Sequence, residues 1–297
     1  MSLPIQDRAR GALLGLACGD AVGTTVEFAP RGSFPPVTDM VGGGPFRLQA
    51  GQWTDDTTMA VCLAQSLVET RGFDPVDQLR RYVRWWRDGH NSPTGRCFDI
   101  GGTTSQSLAE FERTGEPYRA LHPQNGGNGS LMRLAPIPIA YAQPAEAAEL
   151  QGMTTHASLE ANAACRVYAL AMRRAIEGAD KAAALAPAGL GDDLPPAIAA
   201  IVAGSYKDKP EALIKSGGYV VESLEAALWC VWRAADFEEA VLLATNLGHD
   251  ADTTAAIAGQ LAGALWGESG IPARWLATLW RRADLTTLAD GLLELNL

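Results

Sequence analysis

The 297 residues hold 24 Lys and Arg against 34 Asp and Glu, a formal charge of −10, with 47% hydrophobic and 20% charged residues. That balance provides apolar mass for a sizeable core and excludes a chain built to wrap nucleic acid, which needs clustered cations. Five cysteines with no C-x-x-C pair predict reduced thiols. Asp7, Arg8, Arg10 and Asp20 interrupt the first apolar stretch, so neither a secretory signal nor a bilayer span is predicted and a cytoplasmic location is expected.

Helical periodicity dominates, and alternating strand patterns are scarce. The first helix is predicted over Ile5–Gly23, where Gly11, Gly15, Gly19 and Gly23 recur every fourth residue along one face. Glycine inside a helix costs about 1 kcal/mol relative to alanine, so four in register predict the close approach of another helix backbone. A loop rich in Pro and Gly follows over Phe28–Phe46. Helices are then predicted over Thr57–Thr70, Pro75–Arg87 and Thr103–Arg113, with a Gly- and Asn-rich loop at Gln124–Ser130. Further on they are predicted over Ala145–Gly152, Leu159–Glu177, Leu194–Ala203, Val221–Ala234, Phe237–Thr245, Asp252–Trp266 and Pro272–Arg282. The stretch Ala182–Pro196 reads as a surface excursion. Trp85, Trp86, Trp229, Trp232, Trp266, Trp275 and Trp280 stand mostly at helical positions, which predicts packing rather than ligand binding. With no fixed-period repeat, the chain is expected to form one compact all-α domain over residues 1–297.

Two acidic clusters stand at two helix starts. Thr54-Asp55-Asp56-Thr57 precedes a pattern with Met59, Leu63 and Leu67 four apart, and Asp250-Ala251-Asp252-Thr253 precedes Ile257, Leu261 and Leu265 at the same spacing. Either cluster alone reads as ordinary helix capping, which gains roughly 0.3–1 kcal/mol from the macrodipole. One cap needs one oxygen acceptor, however, and each cluster supplies two carboxylates plus hydroxyls. Four carboxylates brought together would repel one another, and hard divalent cations with oxygen-rich coordination are their natural neutralising partners.

Three segments are similar to the ADP-ribosylglycohydrolase family: Gly11 through Gly23 continuing to Glu27-Phe28, then Thr54-Asp55-Asp56-Thr57, and Asp250-Ala251-Asp252-Thr253. Their order and spacing match over about residues 8 to 270. The resemblance implies a compact, single-domain orthogonal helical bundle holding two Mg²⁺ or Mn²⁺ ions, with Thr54, Asp55, Asp56, Asp250, Asp252 and Thr253 as ligands.

Glu27, at a helix end, reads by itself as a solvated acid; the resemblance puts it beside the metals as a catalytic group. Asp99 lies between apolar neighbours and before Gly101 and Gly102, an ordinary turn by composition. The resemblance makes Asp99 the acid/base facing the scissile bond and adds the two glycines to the substrate-binding set. The run Gly127, Asn128, Gly129 and Ser130, with Met132 beyond it, reads as a loop whose bare backbone N–H groups could meet an anion. The family uses the similar segment to cradle a diphosphate.

His156 opens the next helix and is implied as a ribose or phosphate contact. Tyr219 offers a face for adenine, or a core ring. His249 departs from the glycine or aspartate expected there and is left out of the ligand set. The implied activity is release of ADP-ribose from a modified acceptor, an arginine side chain first, with ADP-ribose or an ADP-ribosylated protein as partner. The expected protein is a monomer with no membrane and no stable nucleic-acid partner. Two rivals remain: a two-metal nucleotide phosphohydrolase, and a non-catalytic ADP-ribose-binding relative, which four retained aspartates disfavour.

Overall fold

The computed structural model describes residues 3–186, 190 and 193–297. Its helices in chain order are α1 (Ile5–Gly23), α2 (Asp55–Thr70), α3 (Pro75–Asp88), α4 (Gly102–Thr114), α5 (Pro136–Ala140), α6 (Ala145–Met153) and α7 (Leu159–Ile176). These are followed by α8 (Lys181–Ala184), α9 (Pro196–Val202), α10 (Val220–Arg233), α11 (Phe237–Asn246), α12 (Ala251–Trp266), α13 (Ala273–Thr278) and α14 (Arg282–Leu295). The fold is all-α: among the described residues the only β pairing is two isolated bridges, Gly43 with Leu48 and Gly127 with Tyr219. No described helix is long and apolar enough to cross a membrane.

The glycine stripe decides the central packing. A Cβ built on Gly11, Gly15, Gly19 or Gly23 would come within 3.0 Å of the carbonyl oxygen of Gly263, Gly259, Ala255 or Ala251, respectively. Gly259 and Gly263 present the reciprocal restriction toward Gly15 and Gly11. Small residues on both helices therefore let the backbones touch, and the pairing order makes α1 and α12 antiparallel. Both are buried around nearly their whole circumference, as expected for central helices. Their pairing sets the C-terminal end of α1, with Asp20 and the following Glu27, beside the N-terminal end of α12.

The C-terminal part departs from expectation. The predicted helix over Pro272–Arg282 ends at Thr278; the chain then turns so that the Trp280 N–H reaches the Gly51 carbonyl at 3.0 Å, and Arg281 adopts a φ of 50°. Helix α14 follows, unpredicted, burying Leu285, Ala289 and Leu292 against α1 and α2. The short helices α5 and α8 were also absent from the expected set. Of the Ala182–Pro196 excursion, residues 187–189, 191 and 192 lie outside the described residues.

Candidate active site

The helices entering from the two acidic clusters are not capped by their own N-cap side chains. Thr54 and Asp250 are the N-cap residues of α2 and α12, and neither side chain makes a capping hydrogen bond. The caps come from Asp20 in the last turn of α1 and from Glu27 just beyond that helix. Asp20 Oδ1 accepts the Thr54 N–H at 2.8 Å and the Thr54 hydroxyl at 2.9 Å. Its Oδ2 accepts the Thr57 N–H at 3.0 Å and the Thr57 hydroxyl at 2.6 Å. Glu27 Oε2 accepts the Ala251 N–H at 2.7 Å and the Asp252 N–H at 3.1 Å. Long-range carboxylates thus satisfy the orphan amides of both helix starts, and capping does not account for Asp55, Asp56 and Asp250.

The two clusters meet. Thr54 Oγ1 lies 3.1 Å from Asp252 Oδ2 and 3.3 Å from Asp56 Oδ2, while Thr253 Oγ1 lies 3.4 Å from Asp56 Oδ2. Carboxylate oxygens of Glu27, Asp250 and Asp252 come within 4.8 Å of one another, a spacing that can hold a metal ion. Thr54 and Asp56 are buried and do not line the cavity, and Trp53, fully buried with its ring 4.8 Å from that of Trp280, stands just before them.

The cavity has a volume of about 540 Å³ and is lined by Glu27, Asp55, Asp99, Asp250, Asp252 and Thr253 on its acidic side. Gly101, Gly102, Gly127, Asn128, Gly129, Met132, His156, Phe28 and His249 also line it. Ser130 and Tyr219 do not line it. The Ser130 hydroxyl faces the core, where the Cys165 thiol lies 3.4 Å away, so any contact from Ser130 to a ligand falls to its backbone. The Tyr219 ring is 39% exposed and its hydroxyl bonds the Glu160 carboxylate, which puts it outside the cavity rather than in the core. A second cavity of about 800 Å³ shares Thr103 with the first and runs along α4 toward Arg119 and His122.

Packing explains the glycines of the loop. A Cβ on Gly129 would collide with the His156 ring, and one on Gly127 would crowd it at 3.3 Å. The loop is held by backbone pairing with the segment before α10: the Asn128 N–H donates to the Gly218 carbonyl at 3.1 Å, and the Val220 N–H to the Gly126 carbonyl at 2.9 Å. The Asn128 side-chain amide donates to Asp250 Oδ2 at 2.7 Å and to Ser223 Oγ at 2.9 Å. Asn128 is therefore a strut between the loop and the acidic cluster. His156 is buried, and burial with the charges of Arg133 and Arg119 brings its pKa down to about 3, leaving a neutral ring.

Electrostatics define what the cluster lacks. Burial raises the pKa of Asp55, Asp56 and Asp252 well above the ordinary carboxylate range, and the neighbouring acids push the same way. Burial, then the charges of Asp250 and Asp20, pushes Asp99 up to about 7; burial, then the charges of Asp250 and Asp99, pushes Glu27 up to about 8. No Lys or Arg lines the cavity. Among the described residues, no ion pair involves Asp20, Glu27, Asp55, Asp56, Asp99, Asp250 or Asp252. Asp56 Oδ1 is buried without a hydrogen-bond partner. An all-oxygen donor set, an orphaned carboxylate oxygen and missing counter-charge fit hard divalent cations.

Asp20 is the residue that sequence reasoning passed over. Its signal was present: a lone acid inside the apolar, glycine-striped helix, at a position where only a paired carboxylate is tolerated.

The sequence has known relatives. The family model described as ADP-ribosylglycohydrolase matches residues 1–296. The chain is 48% identical over 293 residues to the ADP-ribosylarginine hydrolase Tri1 of Pseudomonas putida (strain GB-1), covering 97% of this chain and 78% of that protein. It is 44% identical to the ADP-ribosylarginine hydrolase Tri1 of Serratia proteamaculans (strain 568), covering 96% and 79%. The ADP-ribosyl-(dinitrogen reductase) glycohydrolase of Rhodospirillum rubrum is 31% identical, covering 98% and 97%. A solved structure described as an ADP-ribosylglycohydrolase-related protein complex superposes with a TM-score of 0.88 at 45% identity, covering 99% of each chain.

Proposed function

The chain belongs to the ADP-ribosylglycohydrolase family, and from that premise we propose that it is a metal-dependent hydrolase releasing ADP-ribose from ADP-ribosylated arginine side chains of a protein. The observation that carries this reading is the meeting of Asp56 and Asp252 through Thr54 and Thr253 beside a cavity lined by no protein cation. Two relatives at 44% and 48% identity carry the name ADP-ribosylarginine hydrolase, which supports the acceptor.

Thr54, Asp55, Asp56, Asp250, Asp252 and Thr253 are proposed to hold two divalent cations, Mg²⁺ or Mn²⁺. When bound, such ions supply Lewis acidity and neutralise the buried carboxylates. Asp99, whose carboxyl can keep a proton near neutral pH in the metal-free protein, gives that proton to the neutral guanidine formed as the bond from the ribose anomeric carbon to nitrogen breaks with its electron pair going to nitrogen, so that arginine leaves as guanidinium. Glu27 spends Oε2 on the amides of α12. Its other oxygen takes the proton of the water whose oxygen becomes the new ribose hydroxyl, a role that requires the cations' charge to bring the Glu27 pKa down from its metal-free value of about 8. The N–H groups of Gly127, Gly129 and Ser130, with Asn128 bracing the loop between them, the start of α4 at Gly101 and Gly102, and the neighbouring Met132 and His156 are proposed to hold the rest of ADP-ribose. Tyr219 serves an adenine that reaches past the cavity rim. The protein works as one domain, in the cytoplasm, as a monomer.

The test is to incubate purified protein with ADP-ribosyl-arginine and Mg²⁺ or Mn²⁺ and to identify the products. Free ADP-ribose and arginine in equal amounts are expected. AMP or released phosphate would point to a phosphohydrolase, and intact substrate would refute the activity.

A further inference from the structure

Phe28 has a backbone that its side chain does not explain. Its φ is 63°, a region that bulky L-residues avoid and glycine occupies freely. The conformation is fixed by the Phe28 N–H donating to the His249 carbonyl at 2.7 Å and the His249 N–H donating to the Ala29 carbonyl at 2.8 Å. A core residue would recover the strain through burial, yet Phe28 is 62% exposed while lining the cavity. Its ring meets Phe46 edge-on at 6.1 Å, and Phe46 meets Phe98 at 5.1 Å. This trio brackets the proposed proton-handling pair, because Phe28 follows Glu27 and Phe98 precedes Asp99 in the chain.

Strained backbone that burial does not compensate is a mark of function. The Phe28 ring in a cavity lined by carboxylates, with no Lys or Arg in the lining and with Phe46 and Phe98 packed behind it outside the lining, complements a planar cation. The geometry points to Phe28, supported by Phe46 and Phe98, as the docking platform for the guanidinium of the acceptor arginine, setting acceptor specificity at the cleavage end of the cavity. This rests on the proposed hydrolase reading and deepens it. The guanidinium lies against the ring while its linked nitrogen is presented to Asp99, and the aliphatic stem runs outward over Phe46. A neutral acceptor such as serine gains nothing from such a surface.

The test compares the native protein with Phe28→Gly and Phe28→Trp, using an ADP-ribosyl-arginine peptide as substrate and free ADP-ribose as ligand. Glycine relieves the positive φ, so removing the ring places no new demand on the fold. The expected result for Phe28→Gly is a KM raised about tenfold, the scale of a lost cation–π contact, with kcat and ADP-ribose affinity within about twofold of native. Phe28→Trp should keep KM within about threefold. An unchanged KM in Phe28→Gly, or an equal loss of ADP-ribose affinity, would overturn the platform while leaving the hydrolase reading intact. A native protein that releases no ADP-ribose would overturn both.

Discussion

Asp20 and Glu27 accept backbone N–H groups from the first turns of α2 and α12, and hydrogen bonds to a charged carboxylate are among the stronger ones in proteins. Such a bond fixes the helix start, and with it the direction in which the next carboxylates point. Asp20→Asn would keep one acceptor oxygen and lose the other, so the Thr54 or Thr57 pair of bonds must break. A fall of about tenfold in Mn²⁺ affinity, measured by calorimetry, is expected although Asp20 is not a proposed ligand. Asp99 is different in kind, because it lines the cavity and its loss removes a proton donor. Asp99→Asn should lower kcat by about 10²–10⁴, the usual scale of general acid catalysis, while ADP-ribose affinity stays within about twofold. An unchanged kcat would remove Asp99 from the reaction. The residue scale is also where sequence reading was weakest. Ser130 and Tyr219 were both expected at the ligand, but the side chain of one turns inward to Cys165 and that of the other lies outside the cavity toward Glu160. Chain position specifies a segment, whereas side-chain direction depends on neighbours that are distant in sequence.

The helices were far more legible. The ends of α1 at Ile5 and Gly23 agree with the expected span, because its glycine period also encodes its partner surface. The C-terminal helix was missed although Leu285, Ala289 and Leu292 stand at helical spacing. Thr286, Thr287 and Gly291 dilute the propensity there, and the break at Arg281 is set by a bond to Gly51 on the far side of the sequence. The α1–α12 contact offers a direct mutational test at this scale. Gly19→Ala puts a methyl group against the Ala255 carbonyl and should destabilise the protein by about 1–3 kcal/mol through overpacking. It should weaken Mn²⁺ binding as well, because the start of α12 must shift away from α1. Gly72→Ala, which meets nothing within 4 Å, is the matched control and should leave both unchanged in denaturant melts and metal titrations.

At the scale of the whole molecule, the fold gathers acids from near both ends of the chain, and among the described residues no Lys or Arg forms an ion pair with them. The consequence is a pH dependence with a definite sign. In the unfolded chain Glu27 and Asp99 lose their protons near pH 4; in the folded, metal-free protein they keep them until about 8 and about 7. Between those limits the folded state binds more protons than the unfolded state, so stability contributed by these groups falls as pH rises. Chelated protein should therefore lose Tm on going from pH 5 to pH 8, on the order of 5 °C. Mn²⁺ should restore more of it at pH 8 than at pH 5. A chelated protein that gains stability across that range would contradict the electrostatic reading.

Two acidic segments almost 200 residues apart are proposed to share one pair of cations, and a crystal grown with Mn²⁺ and measured near the manganese absorption edge tests that sharing most directly. The expected anomalous map has two peaks, each about 2.0–2.2 Å from its oxygen ligands, with the Thr54–Asp56 segment and the Asp250–Thr253 segment both contributing. Peaks held by one segment alone, or no peak in the cavity, would contradict the account.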